Sequence, residues 1–438
     1  MTRQRHQRWR AAMAAGLAFT MLASACADDD DDDAATETDS GDTADADLEG
    51  TTVTIFGSEV ETELQGNQDA FAQFTEDTGI TVEVSGDRGF ETQIGTQIDG
   101  GDPPDIALFP QPGKVDDFEA DILPLPDSVV SEVEENFDPG ITELVTYDGE
   151  LKGVPLKADL KSVVWYSPAE FEANGYEIPE TFEDWLALAD TMAEDGNTPF
   201  CVGLGSDDAT GWPMTDWVED FMLRMKGPDV YDQWYTHEIP FDDPDVIEVG
   251  EAVIDLWSQE GYVFGGVENV AATPFPDAGL PLLDGDCQMH RQGNFYSANF
   301  PEGTTYGPDG DIDAFYLPGS EEYPNITLTG GNYASALVDR PEVMAVMEFL
   351  ASEDYATARA PAPGFLSPNK NVDTSQYPDE LTQSFGEILS AGDPVRFDAS
   401  DLMPGAVGAG TFWSAAVDTT TGAKDVPTAF GEVEASWP

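Results

Sequence analysis

Beyond residue 50 the hydrophobic positions switch repeatedly between a period of two and a helical period. Thr52 to Phe56 reads TVTIF and predicts a strand ending at Gly57-Ser58-Glu59. Phe71, Phe74 and Thr75 share one face of a helix that stops near Gly79, and Ile80 to Val84 alternates as a second strand. Phe90 to Ile98 predicts another helix, broken by Gly100-Gly101-Asp102-Pro103-Pro104, and Asp105 to Phe109 is a short buried strand. Strands alternating with helices predict an α/β sheet, in which ligands bind beyond the carboxyl ends of the strands. Ser58, Glu59, Glu61, Arg88 and Gln111 all fall at or just past those ends.

Gly153 to Tyr166 (GVPLKADLKSVVWY) reads as one long strand. Alternation puts Lys157, Asp159 and Lys161 on one face, with Leu156, Ala158 and Leu160 on the other. Two of the chain's 17 basic residues stand here beside a carboxylate, which suits either a solvated edge or the polar wall of a cleft. Thr181 caps a following helix through a Thr-x-x-Asp pattern, and Trp212-Pro213-Met214-Thr215-Asp216 reads as a loop opening another.

The first fifty residues differ in kind. Arg3, Arg5, Arg8 and Arg10 precede an uncharged apolar stretch from Ala11 to Ala25, the build of an export signal. The stretch is shorter than the ~20 residues a bilayer span needs. It ends in LASAC, resembling a bacterial lipobox in which Cys26 is lipidated and becomes the mature N-terminus; Ala23 stands where Leu is commoner. Ala27 to Gly50 has no Lys, Arg or aromatic residue and carries an acidic run from Asp28 to Asp33, which predicts a disordered tether.

Composition narrows the partners. A formal charge of -70 over 438 residues argues against nucleic acid and anionic lipid surfaces, and membrane contact is expected through the lipid anchor only. The acidity reads as an adaptation to saline surroundings, with cation binding as the competing account. Besides Cys26 the cysteines are Cys201 and Cys287, which suggests one disulfide, or else two buried thiols. With three histidines, one of them (His6) in the signal, no His-rich or Cys-rich metal site is expected.

Collinear segments then point to a family: TVTIFGSE, DTGITVEVSGDRGFE, PPDIALFPQPG, LKADLKSVVWY, ATGWPMTDWVEDFMLR, CQMHRQGNF, LSPNK and DLMPGAVGAGTFW. Together they resemble carbohydrate-binding extracellular solute-binding proteins of ABC importers, above all the α-glucoside-binding group, and more distantly maltose-binding protein. The resemblance implies an α/β, two-lobed, type II periplasmic-binding-protein fold with its ligand cleft between lobes joined by hinge strands. The expected division is a signal over 1–25, the lipidated tether over 26–50, one lobe from 51–160 with about 313–364, and a second from about 161–312 with 365–438. Crossovers are expected at 157–166, 313–317 and 365–370. The resemblance also supports a Cys201–Cys287 disulfide.

For ligand contact it implies Phe109, Gln111, Trp212, Asp216, Gln292, Asn294, Phe295 and Trp413. Residue chemistry adds Ser58, Glu61, Arg88, Asp159, Lys161, Arg291 and Asn332. Aromatic rings cover the C–H face of a sugar, while carboxylates and amides satisfy adjacent hydroxyls. The expected partners are a small carbohydrate and a membrane permease, with no cofactor, no metal and no catalysis, the chain acting as a monomer. An exported glycoside hydrolase and a binder of charged solutes (a sulfonated or phosphorylated glycoside, or a polyamine) are the rival readings.

Overall fold

The computed structural model describes residues 48–391 and 395–438. The expected export signal, Cys26 and nearly all of the acidic tether lie outside the described residues.

Among the described residues, eleven strands are distributed over three sheets. β1 (Thr52–Gly57), β2 (Thr81–Gly86) and β3 (Ile106–Phe109) run parallel with β1 in the middle. β4 (Thr146–Tyr147) and β5 (Glu150–Leu151) form a small hairpin. The long apolar segment that follows is two strands, β6 (Val154–Leu160) and β7 (Val163–Tyr166). β7 lies between β8 (Met289–Gln292) and β9 (Asp313–Tyr316) in an antiparallel sheet. β10 (Thr327–Ala336) pairs with β3, β6 and β11 (Val395–Phe397), which completes the first sheet.

Two lobes follow from where these strands bury their side chains. Val53, Ile55, Ile106 and Leu108 pack against Val343, Val346 and Met347 of the helix Pro341–Leu350. A second core collects Trp185, Trp217 and Trp257, whose neighbouring ring centroids are 5.7 and 5.1 Å apart. β10 enters both: Leu328 is buried in the second core, Ala334 and Ala336 in the first. β6 runs from Val154 and Leu156 in the first core to Leu160 in a third cluster with Trp165, Phe295 and Phe365. β6 and β10 pair antiparallel across these clusters. β9, where a crossover was expected, pairs with β7 at the edge of the three-stranded sheet. The expected third crossover touches β6 at a bridge between Ala158 and Leu366.

Local rules account for several boundaries. Gly79 takes φ 72°, the left-handed conformation that ends the helix Ala72–Thr78. Thr181 accepts a hydrogen bond from the Asp184 amide at 3.1 Å and so caps the helix Phe182–Glu194. The single strand expected across 153–166 breaks because Lys161 N donates to Leu328 O (3.0 Å) in one sheet. The next residue, Ser162, accepts from Leu317 N (2.8 Å) beside the other. Cys201 and Cys287 form a disulfide, both residues buried, with Cα atoms 5.6 Å apart. Among the described residues no helix is long and apolar enough to cross a membrane.

Candidate functional site

A cleft enclosing about 880 Å³, its open mouth included, lies where the crossing strands meet the carboxyl ends of β1, β2 and β3. Ser58, Glu59 and Glu63 follow β1, Arg88 and Glu91 follow β2, and Gln111 follows β3. Lys157, Asp159 and Lys161 line it from the β6 segment, and Gly331 and Asn332 from β10. Four aromatic rings line it too, Trp212, Phe275, Phe295 and Trp413, with Lys161 5.4 Å from the Trp212 ring and Lys157 5.1 Å from that of Phe295. Trp212 lies 5.1 Å from the Phe275 ring and 6.0 Å from that of Phe295. Gly211, at φ 120°, lies so close to the Trp413 backbone that a Cβ there would strike the Trp413 carbonyl. That close approach brings the start of the Trp212 helix against the Trp413 backbone.

Two ion networks stand behind these walls. In the first, Lys157 meets Glu63 at 2.7 Å, Asp159 at 3.4 Å and Glu59 at 3.9 Å. Glu59 also takes the Arg359 guanidinium on both oxygens at 2.6 Å and an amide hydrogen from Asn67 at 3.0 Å. Burial opposes ionisation of Glu59, but Arg359 and Lys157 hold its carboxyl below the usual range. Burial pushes the Glu63 carboxyl up despite Lys157, because Glu59 and Asp159 stand nearby.

In the second network, Lys161 lies 2.9 Å from Asp398 and 3.3 Å from Asp216. Arg291 bonds Asp220 at 2.6 Å and Asp216 at 3.2 Å, and Arg224 bonds Asp220 at 2.7 Å. Ser162 donates to Asp220 as well. Glu219 and Asp401 join this group, so five carboxylates face three bases. The surplus shows in the titrations. Burial, with Asp398 adding to it, raises Asp216 to about 7, while Lys161 overcomes burial to hold Asp398 at about 2. Glu219 and Asp401 are raised well above the ordinary carboxylate range, by burial first and the Asp398 charge second. Asp216, Glu219 and Asp398 each bring an oxygen within 4.8 Å of the others, and the Lys161 ammonium supplies the positive charge there.

Ten of the fifteen residues expected at the ligand line this cleft: Ser58, Arg88, Gln111, Asp159, Lys161, Trp212, Asp216, Phe295, Asn332 and Trp413. Five do not. Glu61 points outward, its side chain 79% exposed and 3.9 Å from Arg88. Phe109 turns into the first-lobe core against Phe90 and Phe118, since alternation along β3 carries it to the far face. Arg291 is sealed behind the wall by Asp216 and Asp220. Gln292 accepts from the Gly293 amide, and the Asn294 side chain ties Leu160 N to Gly364 O, so both serve the backbone. The expectation missed Glu59, Glu63, Glu91, Phe275, Asp398 and Asp401, all of which line the cleft.

Residues 59–357 match the sequence profile of the bacterial extracellular solute-binding proteins. The chain belongs to that family. Within it, the chain is 41% identical over 392 residues to the osmoprotective compounds-binding protein GgtB of Synechocystis, covering 88% of this chain and 92% of that one. It is 39% identical over 410 residues to the alpha-glucosides-binding periplasmic protein AglE of Rhizobium meliloti, covering 89% and 88%. Among solved structures, the bacterial solute receptor AcbH superposes with a TM-score of 0.76 at 20% identity, over 88% of this chain and 98% of that one. The maltose-bound MalE3 of T. maritima gives 0.71 at 18% identity, over 88% and 98%. These likenesses establish the two-lobed solute-binding fold, and the family is one of transport proteins.

Proposed function

We propose that this solute-binding protein is the capture subunit of an ABC importer for an α-glucoside or small oligosaccharide. The observation that carries the reading is the cleft itself. The aromatic rings of Trp212, Phe275, Phe295 and Trp413 line it together with carboxylates and amides at the strand ends, the combination a sugar's C–H face and hydroxyl edge require. The names of GgtB and AglE point the same way. A ligand that touches both lobes favours the closed arrangement by its extra contacts there, with β6 and β10 as the hinge strands, and the closed form docks on a permease. Anchoring through a lipidated Cys26, action as a monomer and the absence of catalysis belong to the same proposal.

A thermal-shift panel in high salt tests it, using trehalose, maltose, sucrose, a glucosylglycerol, their sulfonated analogues and polyamines. A ligand at 100 times its Kd adds about 2.7 kcal/mol, a shift easily read. Stabilisation by a glucoside is the expected result. Silence from every sugar together with a response to polyamines would overturn the carbohydrate reading and leave the fold standing.

A further inference from the structure

From the way the cleft's charges are matched, we infer that it takes an uncharged, hydroxyl-bearing glycoside and rejects phosphorylated and sulfonated ones. This rests on the glycoside-capture reading and adds the ligand's charge to it.

The bases come first, because an anion would need one of them. Among the described residues lining the cleft they are Lys157, Lys161 and Arg88. Lys157 is engaged by three carboxylates and Lys161 by two. Arg88 stands over the Phe275 ring at 5.1 Å, with Glu61 at 3.9 Å. Against these three bases the lining sets seven acids, Glu59, Glu63 and Glu91 on the first lobe, Asp159 on β6, and Asp216, Asp398 and Asp401 on the second. To gain Lys157 or Lys161 an entering phosphate would have to break a buried ion pair, and at Arg88 it would compete with Glu61.

The unpartnered atoms agree. Gln111 Oε1 and Glu91 Oε2 are buried at the wall without a hydrogen-bond donor. Both can accept, and an unmatched buried acceptor is costly until a donor arrives. Sugar hydroxyls supply donors; phosphate and sulfonate oxygens bring only more acceptors and more negative charge.

The test is calorimetric titration of the full exported chain with matched pairs: trehalose, sucrose and maltose, each against its own phosphate monoester. The neutral member should bind more tightly by about tenfold or more, since like charges juxtaposed in a site are strongly disfavoured. Raising salt from about 0.1 to 1 M shortens the Debye length from about 10 to 3 Å and should narrow the gap. Glu63→Gln, which releases one partner of Lys157, should narrow it too, whereas Glu83→Gln at an exposed position on β2 should leave it unchanged. A phosphate ester that binds as tightly as its parent would overturn the inference while keeping glycoside capture. A gap indifferent to salt and to Glu63→Gln would assign discrimination to shape and overturn it equally. If neither member of any pair binds, the glycoside reading itself fails.

Discussion

Replacing Lys161 with methionine should cost far more stability than replacing its partner Asp216 with asparagine. Both side chains are buried and 3.3 Å apart, so a pairwise view would rank the two changes alike. The network decides otherwise. Five carboxylates share three bases, and Lys161→Met leaves buried Asp398 without its cation and Asp216 with Arg291 alone, a loss of about 3–5 kcal/mol. Asp216→Asn removes one of the surplus acids; Lys161 keeps Asp398, Arg291 keeps Asp220, and the loss should stay below about 1 kcal/mol.

The pH dependence supplies the second reading. With its carboxyl raised from 3.8 to about 7, folded Asp216 holds a proton that the unfolded chain has already released. Its contribution is therefore fully present below pH 4 and lost as pH rises towards 7, by at most about 4 kcal/mol. Asp398 works in the opposite sense, its stabilisation lost only as pH falls from 3.8 towards 2. The assay is urea unfolding followed by tryptophan fluorescence at fixed salt and without ligand, from pH 4.5 to 8. Wild type should grow less stable across that range, and Asp216→Asn should flatten the slope. Equal losses for the two variants, or a wild-type profile that rises with pH, would refute the charge accounting.

Trp212→Ala and Trp413→Ala should each weaken glycoside binding by about 1–3 kcal/mol in calorimetry, through loss of ring contact with the sugar face, while near-UV circular dichroism shows a folded protein. Reducing the Cys201–Cys287 bond, or replacing both residues with serine, frees an 86-residue loop and should lower stability by about 4–5 kcal/mol in urea titrations. Gly331→Ala places a Cβ against the Lys157 carbonyl on the neighbouring strand, which should cost about 1–3 kcal/mol and separate β6 from β10, read as faster amide exchange in both.

Which of these features could be read from the chain depends on whether the signal was local. The face carrying Lys157, Asp159 and Lys161 was legible because strand alternation is a two-residue rule and bases are rare here. Ser58, Arg88 and Gln111 were legible from the strand-end rule. Phe109 was not, because that rule locates the end of a strand without saying which side of the sheet its last residue faces. Glu63, Asp398 and Asp401 were hidden among 87 acids, and strand-end placement alone did not reveal what holds Glu59. Arg359 shows why: it sits 300 residues from Glu59 and is fixed by a contact only the folded chain makes. Gln292 and Asn294 looked like ligand groups but are consumed by backbone atoms, a demand that residue type alone does not reveal. The break between β6 and β7 was equally illegible, since both halves alternate and only their partners differ.

The most direct test is equilibrium dialysis of the exported protein against labelled trehalose, maltose, sucrose and glucosylglycerol in turn, at neutral pH and high salt, with the bound fraction recovered and chromatographed. Retention of close to one equivalent of at least one of them, recovered intact, is the result this account predicts. No retention of any, or recovery as cleaved monosaccharide, would contradict it.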